Sequence, residues 1–503
     1  MAKVELTTRR RNFIVAVMLI SAFVAILNQT LLNTALPSIM RELNINESTS
    51  QWLVTGFMLV NGVMIPLTAY LMDRIKTRPL YLAAMGTFLL GSIVAALAPN
   101  FGVLMLARVI QAMGAGVLMP LMQFTLFTLF SKEHRGFAMG LAGLVIQFAP
   151  AIGPTVTGLI IDQASWRVPF IIIVGIALVA FVFGLVSISS YNEVKYTKLD
   201  KRSVMYSTIG FGLMLYAFSS AGDLGFTSPI VIGALIISMV IIYLFIRRQF
   251  NITNALLNLR VFKNRTFALC TISSMIIMMS MVGPALLIPL YVQNSLSLSA
   301  LLSGLVIMPG AIINGIMSVF TGKFYDKYGP RPLIYTGFTI LTITTIMLCF
   351  LHTDTSYTYL IVVYAIRMFS VSLLMMPINT TGINSLRNEE ISHGTAIMNF
   401  GRVMAGSLGT ALMVTFGTAI MNFGRVMAGS LGTALMVTLM SFGAKIFLST
   451  SPSHLTATEI KQQSIAIGVD ISFAFVAVLV MAAYVIALFI REPKEIESNR
   501  RKF

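Results

Sequence analysis

Charged residues, cysteine and histidine are all scarce in this chain, and each shortage excludes a class of protein. Only 11% of the 503 residues are charged and 57% are hydrophobic, which is far from the balance of a soluble globular domain. The two cysteines, Cys270 and Cys349, lie within apolar stretches, so we expect neither a disulfide framework nor a metal site. The four histidines are scattered, so no cluster of ligands or nucleophiles predicts an enzyme or a cofactor.

Acidic residues are the scarcer charge, since 18 Asp and Glu stand against 35 Lys and Arg and the formal net charge is +17. In a soluble protein this excess would suggest nucleic acid as a partner. Here the basic residues lie in alternate loops between apolar stretches, as the positive-inside rule of membrane proteins requires. The net basic loops are 73–78, 131–136, 187–203, 247–265 and 322–331, whereas loops 42–50, 99–101, 222–228, 293–299 and 352–357 contain no Lys or Arg. The sequence therefore predicts a multi-pass membrane protein with both termini in the cytoplasm and no nucleic-acid partner.

The apolar stretches predict about fourteen transmembrane helices. Candidate spans run roughly over residues 12–34, 51–71, 79–98, 102–129, 137–160, 168–187, 204–221, 229–246, 267–292, 300–320, 332–351, 358–379, one or two within 394–449, and 467–490. The chain also repeats itself, because Asp73 and Asp326 lie in similar loops 253 residues apart and Arg108 and Arg367 are 259 residues apart. These offsets predict an all-α fold of two pseudo-symmetric six-helix bundles with an inserted helix pair. The expected domains are residues 1–190, a linker and helix pair in 191–250, and residues 251–503.

Two short charged loops carry the most specific motif. The first contains Asp73, Arg74 and Arg78, and the second contains Gly322, Asp326, Lys327, Gly329 and Arg331. Each loop follows the second apolar stretch of its half and precedes a third stretch that opens with Pro-Leu. These paired loops resemble the signature between the second and third helices of the major facilitator superfamily. The resemblance implies gating loops that hold helices together at the cytoplasmic side until the two halves rock apart.

Two further motifs lie in the fourth and fifth spans. Arg108 and Gln111 resemble the second motif of the superfamily, an arginine buried in helix four, although an arginine near a helix end can instead reach the membrane surface. The segment that contains Pro150, Gly153, Pro154 and Gly158 resembles the Gly-Pro motif of helix five that marks exporters. Proline and glycine there allow the helix to bend and to approach a neighbour closely.

The first span carries a motif with one informative departure. The residues Asn28, Asn33 and Pro37 resemble the first-helix motif of the fourteen-span drug:proton antiporters, in which an aspartate usually stands at the position of Asn28. Because an amide cannot release a proton, Asn28 cannot be the coupling group. The candidates for proton coupling are Arg108, Gln111 and three acids at the outer ends of spans, Asp162, Asp223 and Asp470. A partly desolvated carboxylate could take up a proton outside and release it inside, and the alternative is a solvated acid at a helix end.

The whole chain resembles the fourteen-span drug:proton antiporter family, and in particular the lincomycin-resistance type of multidrug efflux protein. The resemblance implies export of amphipathic antibiotics and dyes across the plasma membrane, driven by protons and by alternating access. The implied partners are small-molecule drugs, protons and the lipid bilayer, and a monomer is expected. Two alternatives keep the fold: an importer or symporter, against which the Gly-Pro motif argues, and an exporter of an endogenous metabolite.

A perfect internal repeat lies near the end of the chain. Residues 394–415 recur identically as residues 417–438, with a period of 23. Solenoid repeats diverge and occur in arrays, so two identical copies indicate a recent tandem duplication or an artefact. We expect one copy to form span thirteen and the other to be displaced to the cytoplasmic side.

Overall fold

A computed structural model of the chain describes residues 7–161, 164–190, 194, 200–252, 255–427 and 457–490. These residues form fourteen α-helices and contain no strand. The first half comprises α1 (Thr8–Leu43), α2 (Glu47–Arg74), α3 (Thr77–Ala96), α4 (Phe101–Leu129), α5 (Arg135–Ile161) and α6 (Arg167–Ser187). The helices α7 (Lys201–Leu224) and α8 (Pro229–Asn251) follow. The second half comprises α9 (Arg265–Asn294), α10 (Ala300–Tyr328), α11 (Pro330–Met347), α12 (Tyr357–Asn384), α13 (Ile391–Met427) and α14 (Ala457–Leu488).

Short polar caps separate these long apolar helices. Eleven of the described helices are long and apolar enough to cross a membrane, judged by length and composition. The side chains of Asn46 and Asn100 accept hydrogen bonds from backbone N–H groups three residues later, which satisfies donors that the first turns of α2 and α4 leave free. Gly329 ends α10 and begins α11 with a φ of 85°, a conformation that favours glycine. The turns between spans are therefore fixed by the local sequence.

The contacts within the first half recur in the second half. Helix α1 packs against α4, α5 and α6, and α9 packs correspondingly against α12, α13 and α14. Likewise α3 contacts α4 and α6 while α11 contacts α12 and α14, and the pair α2–α4 corresponds to α10–α12. The predicted fold class, two pseudo-symmetric six-helix bundles with an inserted helix pair, is confirmed. The domain boundaries at residues 190 and 250 stay a prediction.

The two halves meet along two seams. In one seam α5 lies against α10 and α12, and in the other α13 lies against α2 and α4. Both α5 and α13 begin at the end of the molecule that carries Asp73 and Asp326, which we call the aspartate end. The two seams are related by the pseudo-symmetry: α5 corresponds to α13 and α10 to α2, so the contact of α5 with α10 matches that of α13 with α2.

The inserted helix α7 covers the seam between α2 and α13. The ring of Phe211 lies 4.3 Å from the ring of Phe400 in α13 and 5.4 Å from that of Phe245 in α8, measured between centroids. Towards the opposite end, Tyr216 stacks on Trp52 of α2 at 6.0 Å. One helix of the pair thus contacts both halves, while α8 packs behind it.

At the aspartate end, an ion pair joins the two inserted helices. Asp200 caps α7 and accepts two hydrogen bonds from Arg248 near the end of α8, at 2.5 Å to Nε and 2.8 Å to Nη2. These hydrogen bonds lower the pKa of Asp200 to about 2. The pair is therefore fastened at this end by charge as well as by apolar packing.

The first copy of the duplicated segment forms the packed part of α13. The side chains of Ala396, Met398 and Met404 in this copy are all buried. Helix α13 then continues into the second copy as far as Met427, and its 37 residues extend about 55 Å, well beyond a bilayer core of roughly 30 Å. Residues 417–427 therefore lie at the end opposite the aspartate end, and the expected displacement of one copy to the cytoplasmic side stays a prediction. Residues 428–438 lie outside the described part of the chain.

Candidate functional site

The carboxylate of Asp326 in the second half binds the first turn of α5 in the first half. Its Oδ1 accepts a hydrogen bond from the backbone N–H of Gly136, and its Oδ2 accepts one from that of Phe137, both at 2.8 Å. The N–H groups in the first turn of a helix lack partners within the helix and carry a partial positive charge. Asp326 therefore neutralises the start of α5 and ties the two halves together; we call this contact the Asp326 latch.

The corresponding aspartate of the first half makes the reciprocal contact. Asp73, at the end of α2, accepts a hydrogen bond from Ser392 Oγ at 2.6 Å, and its Oδ2 lies 3.1 Å from His393 Nε2. His393 Nδ1 accepts from the backbone N–H of Asn258 at 3.3 Å, which leaves the ring proton on Nε2, facing Asp73. This contact, which we call the Asp73 latch, has the same position as the Asp326 latch but uses side-chain donors from α13.

Small residues allow α5 and α10 to approach closely beside the Asp326 latch. A Cβ atom at Gly322 would lie 2.5 Å from the carbonyl oxygen of Gly136, and one at Gly136 would lie 2.2 Å from Asp326 Oδ1. Further along, a Cβ at Gly140 would lie 2.6 Å from the carbonyl oxygen of Ser318. All three distances are too short for a Cβ atom. The close approach of α5 and α10 therefore depends on glycine at these three positions.

A buried arginine supports the Asp326 latch from α5. Arg135 Nη1 donates to Asn384 Oδ1 of the second half at 2.8 Å, and its Nε donates to the carbonyl oxygen of Phe130 at 3.4 Å. Tyr325, which precedes Asp326 and is fully buried, receives a hydrogen bond from Thr381 at 3.3 Å. The polar groups around the latch are thus shared between α5, α10 and α12.

The basic residues of the first loop make contacts within their own half. Arg78 Nη2 donates to the carbonyl oxygen of Leu185 at the end of α6 at 2.9 Å, and Arg74 donates to a tyrosine one turn earlier in α2 at 2.7 Å. Lys327 and Arg331 are exposed. The aspartates of the loops thus contact the opposite half, and Arg74 and Arg78 contact groups of their own half.

Arg108 lies in the interior of the first half and is fully buried. Its Nε donates to the carbonyl oxygen of Leu53 at 3.2 Å, and its Nη1 donates to Gln111 Oε1 at 2.8 Å. Gln111 in turn donates to Ser92 Oγ at 3.0 Å, and the guanidinium lies 4.1 Å above the ring of Phe57. Its Nη2 has no hydrogen-bond partner, and none of the partners among the described residues is a carboxylate. Arg108 and Gln111 are therefore brought together in a hydrogen-bond network in which the partners of the guanidinium are uncharged.

The second half contains the matching arginine. Arg367 in α12 is fully buried, and its Nη2 donates to the backbone oxygen and to Oγ of Ser280, at 2.5 and 2.7 Å. Its Nε and Nη1 have no hydrogen-bond partner among the described residues. Each half thus holds an incompletely satisfied cation in its interior, an arrangement that water or an anionic group would stabilise.

Amide side chains in α1 and α10 are also left without partners. Asn28 and Asn314 are fully buried, and neither the oxygen nor the nitrogen of either amide has a hydrogen-bond partner among the described residues. Pro37 lies inside α1, which continues to its end at Leu43, and the side chain of Asn33 lies outside the described part. Asn28 is thus an uncharged polar group at an otherwise apolar position.

The Gly-Pro segment brings α5 against α1. A Cβ at Gly153 would lie 2.3 Å from Thr30 Oγ1 of α1, so only glycine allows this approach. Pro150 is exposed, and the helix runs on through Pro154 and Gly158, whose surroundings lie outside the described part of the chain. Gly153 therefore serves packing within the first half.

The structure describes the side chain of only one of the three candidate acids. Asp162 lies outside the described residues, and Asp223 lies in the last turn of α7, where its side chain is not described. Asp470, near the start of the apolar part of α14, accepts a hydrogen bond from the backbone N–H of Leu351 at 2.9 Å. This contact joins α14 to the loop after α11 within the second half, away from the two seams.

One cross-half contact was missed by the sequence analysis. Asn399 in α13 donates to Gln123 Oε1 in α4 at 2.8 Å and accepts from Arg402, and all three side chains are buried. The Nε2 of Gln123 has no hydrogen-bond partner within the described part of the chain. The available signal was the presence of an asparagine and an arginine in an apolar helix, where polar side chains usually face the protein interior.

Two helical halves related by pseudo-symmetry and joined by reciprocal contacts at one end define a membrane transporter of the two-bundle class. The chain belongs to the major facilitator superfamily, whose family model matches residues 18–410.

Relatives are similar over nearly the whole chain. The uncharacterised MFS-type transporter YcnB of Bacillus subtilis is 38% identical, with 96% of each chain covered. The lincomycin resistance protein LmrB of the same organism is 37% identical, with 95% of each chain covered. Among solved structures, the proton:xylose symporter XylE superposes with a TM-score of 0.59 at 13% identity, covering 97% of each chain, which shows the fold alone. These relatives are transporters rather than enzymes.

Proposed function

We propose that the chain exports amphipathic antibiotics and dyes across the plasma membrane in exchange for protons, by alternating access. The observation that carries the proposal is the pair of latches, because an aspartate of each half binds the start of a helix in the other half. A cavity between the halves can open at the aspartate end only when both latches break. The efflux direction and the antibiotic class are supported by the similarity to LmrB.

The aspartate end faces the cytoplasm in this proposal, so both termini are cytoplasmic. The support is the concentration of basic residues at that end, which agrees with the positive-inside rule. These residues are Arg74, Lys76, Arg78, Lys132, Lys323, Lys327 and Arg331. The closed latches then correspond to a state whose cavity is accessible from outside.

Drug binding is assigned to the space between the halves. Asn28 in α1, Gln123 in α4 and Asn314 in α10 carry unpaired polar atoms in an interior that is mainly apolar. A few unpaired polar groups in apolar surroundings are typical of sites for amphipathic ligands. Met281 of α9, whose sulfur lies 3.9 Å from Nε2 of Gln147 in α5, also lies between the halves and is the adaptable kind of side chain that varied ligands need.

The coupling acid is sought outside the first helix, because Asn28 cannot titrate and the partners of Arg108 are neutral. We assign Asp223 first, since it ends the one inserted helix that contacts both halves, with Asp470 and Asp162 next. Drug-induced proton release is the direct readout. Wild-type responses in all three variants, Asp162→Asn, Asp223→Asn and Asp470→Asn, would exclude this set of acids.

Accumulation of lincomycin and of a cationic dye in cells tests the function. Cells that express the chain should accumulate less than control cells, and a protonophore should abolish the difference. Greater accumulation in expressing cells would establish an importer, and insensitivity to the protonophore would exclude proton antiport. The same measurement on a variant that lacks residues 416–438 separates a wrong function from a defect caused by the duplication.

A further inference from the structure

A groove at the aspartate end of the first half has no role in the proposed transport cycle. It has a volume of about 490 Å³ and lies between α1 and α5, with the end of α4 at its base. Its polar rim is formed by Arg11, Asn12 and His134. Below the rim, Val15, Leu19 and Leu141 continue as an apolar wall along the helices.

The groove contains a cation, Arg11, that forms no ion pair with any described residue. The guanidinium of Arg11 lies 4.7 Å above the ring of Phe130, and its Nε is shielded from solvent and has no hydrogen-bond partner among the described residues. Lys323 of the second half adds positive charge, since its Nζ lies 5.7 Å from the ring of Phe137, another lining residue. Among the described acids nearby, Glu133 is exposed on the loop before α5, and Asp326 is bound to the backbone N–H groups of Gly136 and Phe137. An anionic group at the rim is therefore favoured by charge and would give the Nε an acceptor.

The position of the groove relative to the membrane indicates which kind of anion it binds. Arg11 stands at the start of the candidate span Thr8–Leu32, the level at which lipid headgroups meet the hydrocarbon core. From the rim, the apolar wall follows one turn of α1 and one turn of α5, parallel to the direction in which acyl chains run. A small hydrophilic anion would leave this wall uncovered.

We infer that the groove between α1 and α5 binds an anionic phospholipid of the leaflet at the aspartate end. The phosphate contacts the Arg11 guanidinium, with Asn12 and His134 as further donors, and one acyl chain lies along Val15, Leu19 and Leu141. This site is independent of the direction of transport and of the identity of the drug.

Native mass spectrometry of the purified full-length protein tests the inference. Phosphatidylglycerol and phosphatidylcholine with the same acyl chains are titrated against the wild type, Arg11→Gln and Arg9→Gln. Arg9→Gln is the matched control, because Arg9 is exposed and lies two residues before Arg11 in α1. We expect Arg11→Gln to weaken phosphatidylglycerol binding about tenfold, Arg9→Gln to leave it unchanged, and phosphatidylcholine binding to be weak throughout. Equal losses in the two arginine variants, or equal binding of the two lipids, would overturn the site.

Two further arms separate the remaining possibilities. Inorganic phosphate at millimolar concentration should not compete with phosphatidylglycerol, and competition would mean that the groove takes a soluble anion instead. Ala16→Trp should fill the groove without changing charge and should also weaken phosphatidylglycerol binding, whereas Ile20→Trp on the same exposed helix surface should not. If Ala16→Trp binds phosphatidylglycerol as wild type does, the lipid does not occupy the groove.

Discussion

Replacing Asp326 by asparagine removes one of the two contacts that close the aspartate end. The carboxylate oxygens accept hydrogen bonds from two consecutive backbone N–H groups, those of Gly136 and Phe137, at 2.8 Å each. An amide has only one oxygen, so its NH₂ group must face one of these donors. The substitution keeps the size of the side chain and leaves the rest of the seam in place.

The size of the effect follows from the contacts. A hydrogen bond to a charged acceptor is worth about 1.5–3 kcal/mol, and a charge at a helix N-terminus adds about 0.3–1 kcal/mol. Part of the interaction is kept, because the amide oxygen still accepts a hydrogen bond from one of the two N–H groups. We therefore expect the closed state of Asp326→Asn to lose about 2–3 kcal/mol relative to the open state, a shift of about 30- to 150-fold in the equilibrium.

Spin-label distances report this equilibrium directly. Labels at Lys132 of the first half and Lys327 of the second half lie on opposite sides of the seam, in a background with both native cysteines replaced by alanine. Asp326→Asn should shift the distance distribution towards the longer, open population, whereas Asp354→Asn, an exposed acid at the opposite end, should not. An unchanged distribution in Asp326→Asn would refute the assignment of the carboxylate as a latch.

Three further predictions concern other parts of the molecule. Gly322→Ala should prevent the aspartate end from closing, because its Cβ would lie 2.5 Å from a carbonyl oxygen of α5, whereas Gly304→Ala on the same helix meets nothing within 4 Å and should transport normally; equal export rates would contradict the packing argument. Arg108→Ala should abolish proton-coupled export while Arg108→Lys retains part of it, since Lys keeps the charge without the fork geometry, and drug-induced proton release is the measurement. Asp200 has a pKa lowered to about 2 by Arg248, so its stabilising contact is present above the unfolded value of about 3.9 and is lost as the pH falls towards 2. Thermal unfolding should accordingly show less acid sensitivity between about pH 4 and pH 2 in Asp200→Asn than in wild type, and identical profiles would exclude the contact.

The sequence predicts the fold class and the aspartates of the latches, but not what these aspartates bind. Apolar stretches of membrane length and the two similar loops are local patterns, so they can be read without a structure. The partners of Asp326 lie 190 and 189 residues away, and nothing local to the loop indicates them. The similarity between residues 133–139 and 390–396 is a partial indication, because these two segments contain the groups that bind the aspartates. The sequence does not determine whether Arg108 is buried for a related reason, since the burial of a side chain near a helix end depends on which neighbours cover it.

The duplication poses the question of which copy the protein uses as the thirteenth span. Within the repeat the two copies are identical, so the surfaces that face α2, α4 and α7 could be supplied by either one. In the structure the first copy supplies them, through contacts such as that of Phe400 with Phe211 and that of Asn399 with Gln123. The choice must therefore come from residues outside the repeat.

Those residues belong to the Asp73 latch. Ser392 and His393 immediately precede the first copy and bind Asp73, whereas Phe416 stands directly before the second copy at the position of His393. Phenylalanine can neither donate to the aspartate nor accept from the backbone N–H of Asn258, so a shift of 23 residues would leave Asp73 with fewer donors at a partly buried position. The latch thus fixes the register that the repeat leaves ambiguous, because only the first copy is preceded by both the hydroxyl of Ser392 and the imidazole of His393, whereas Thr415 and Phe416 precede the second copy.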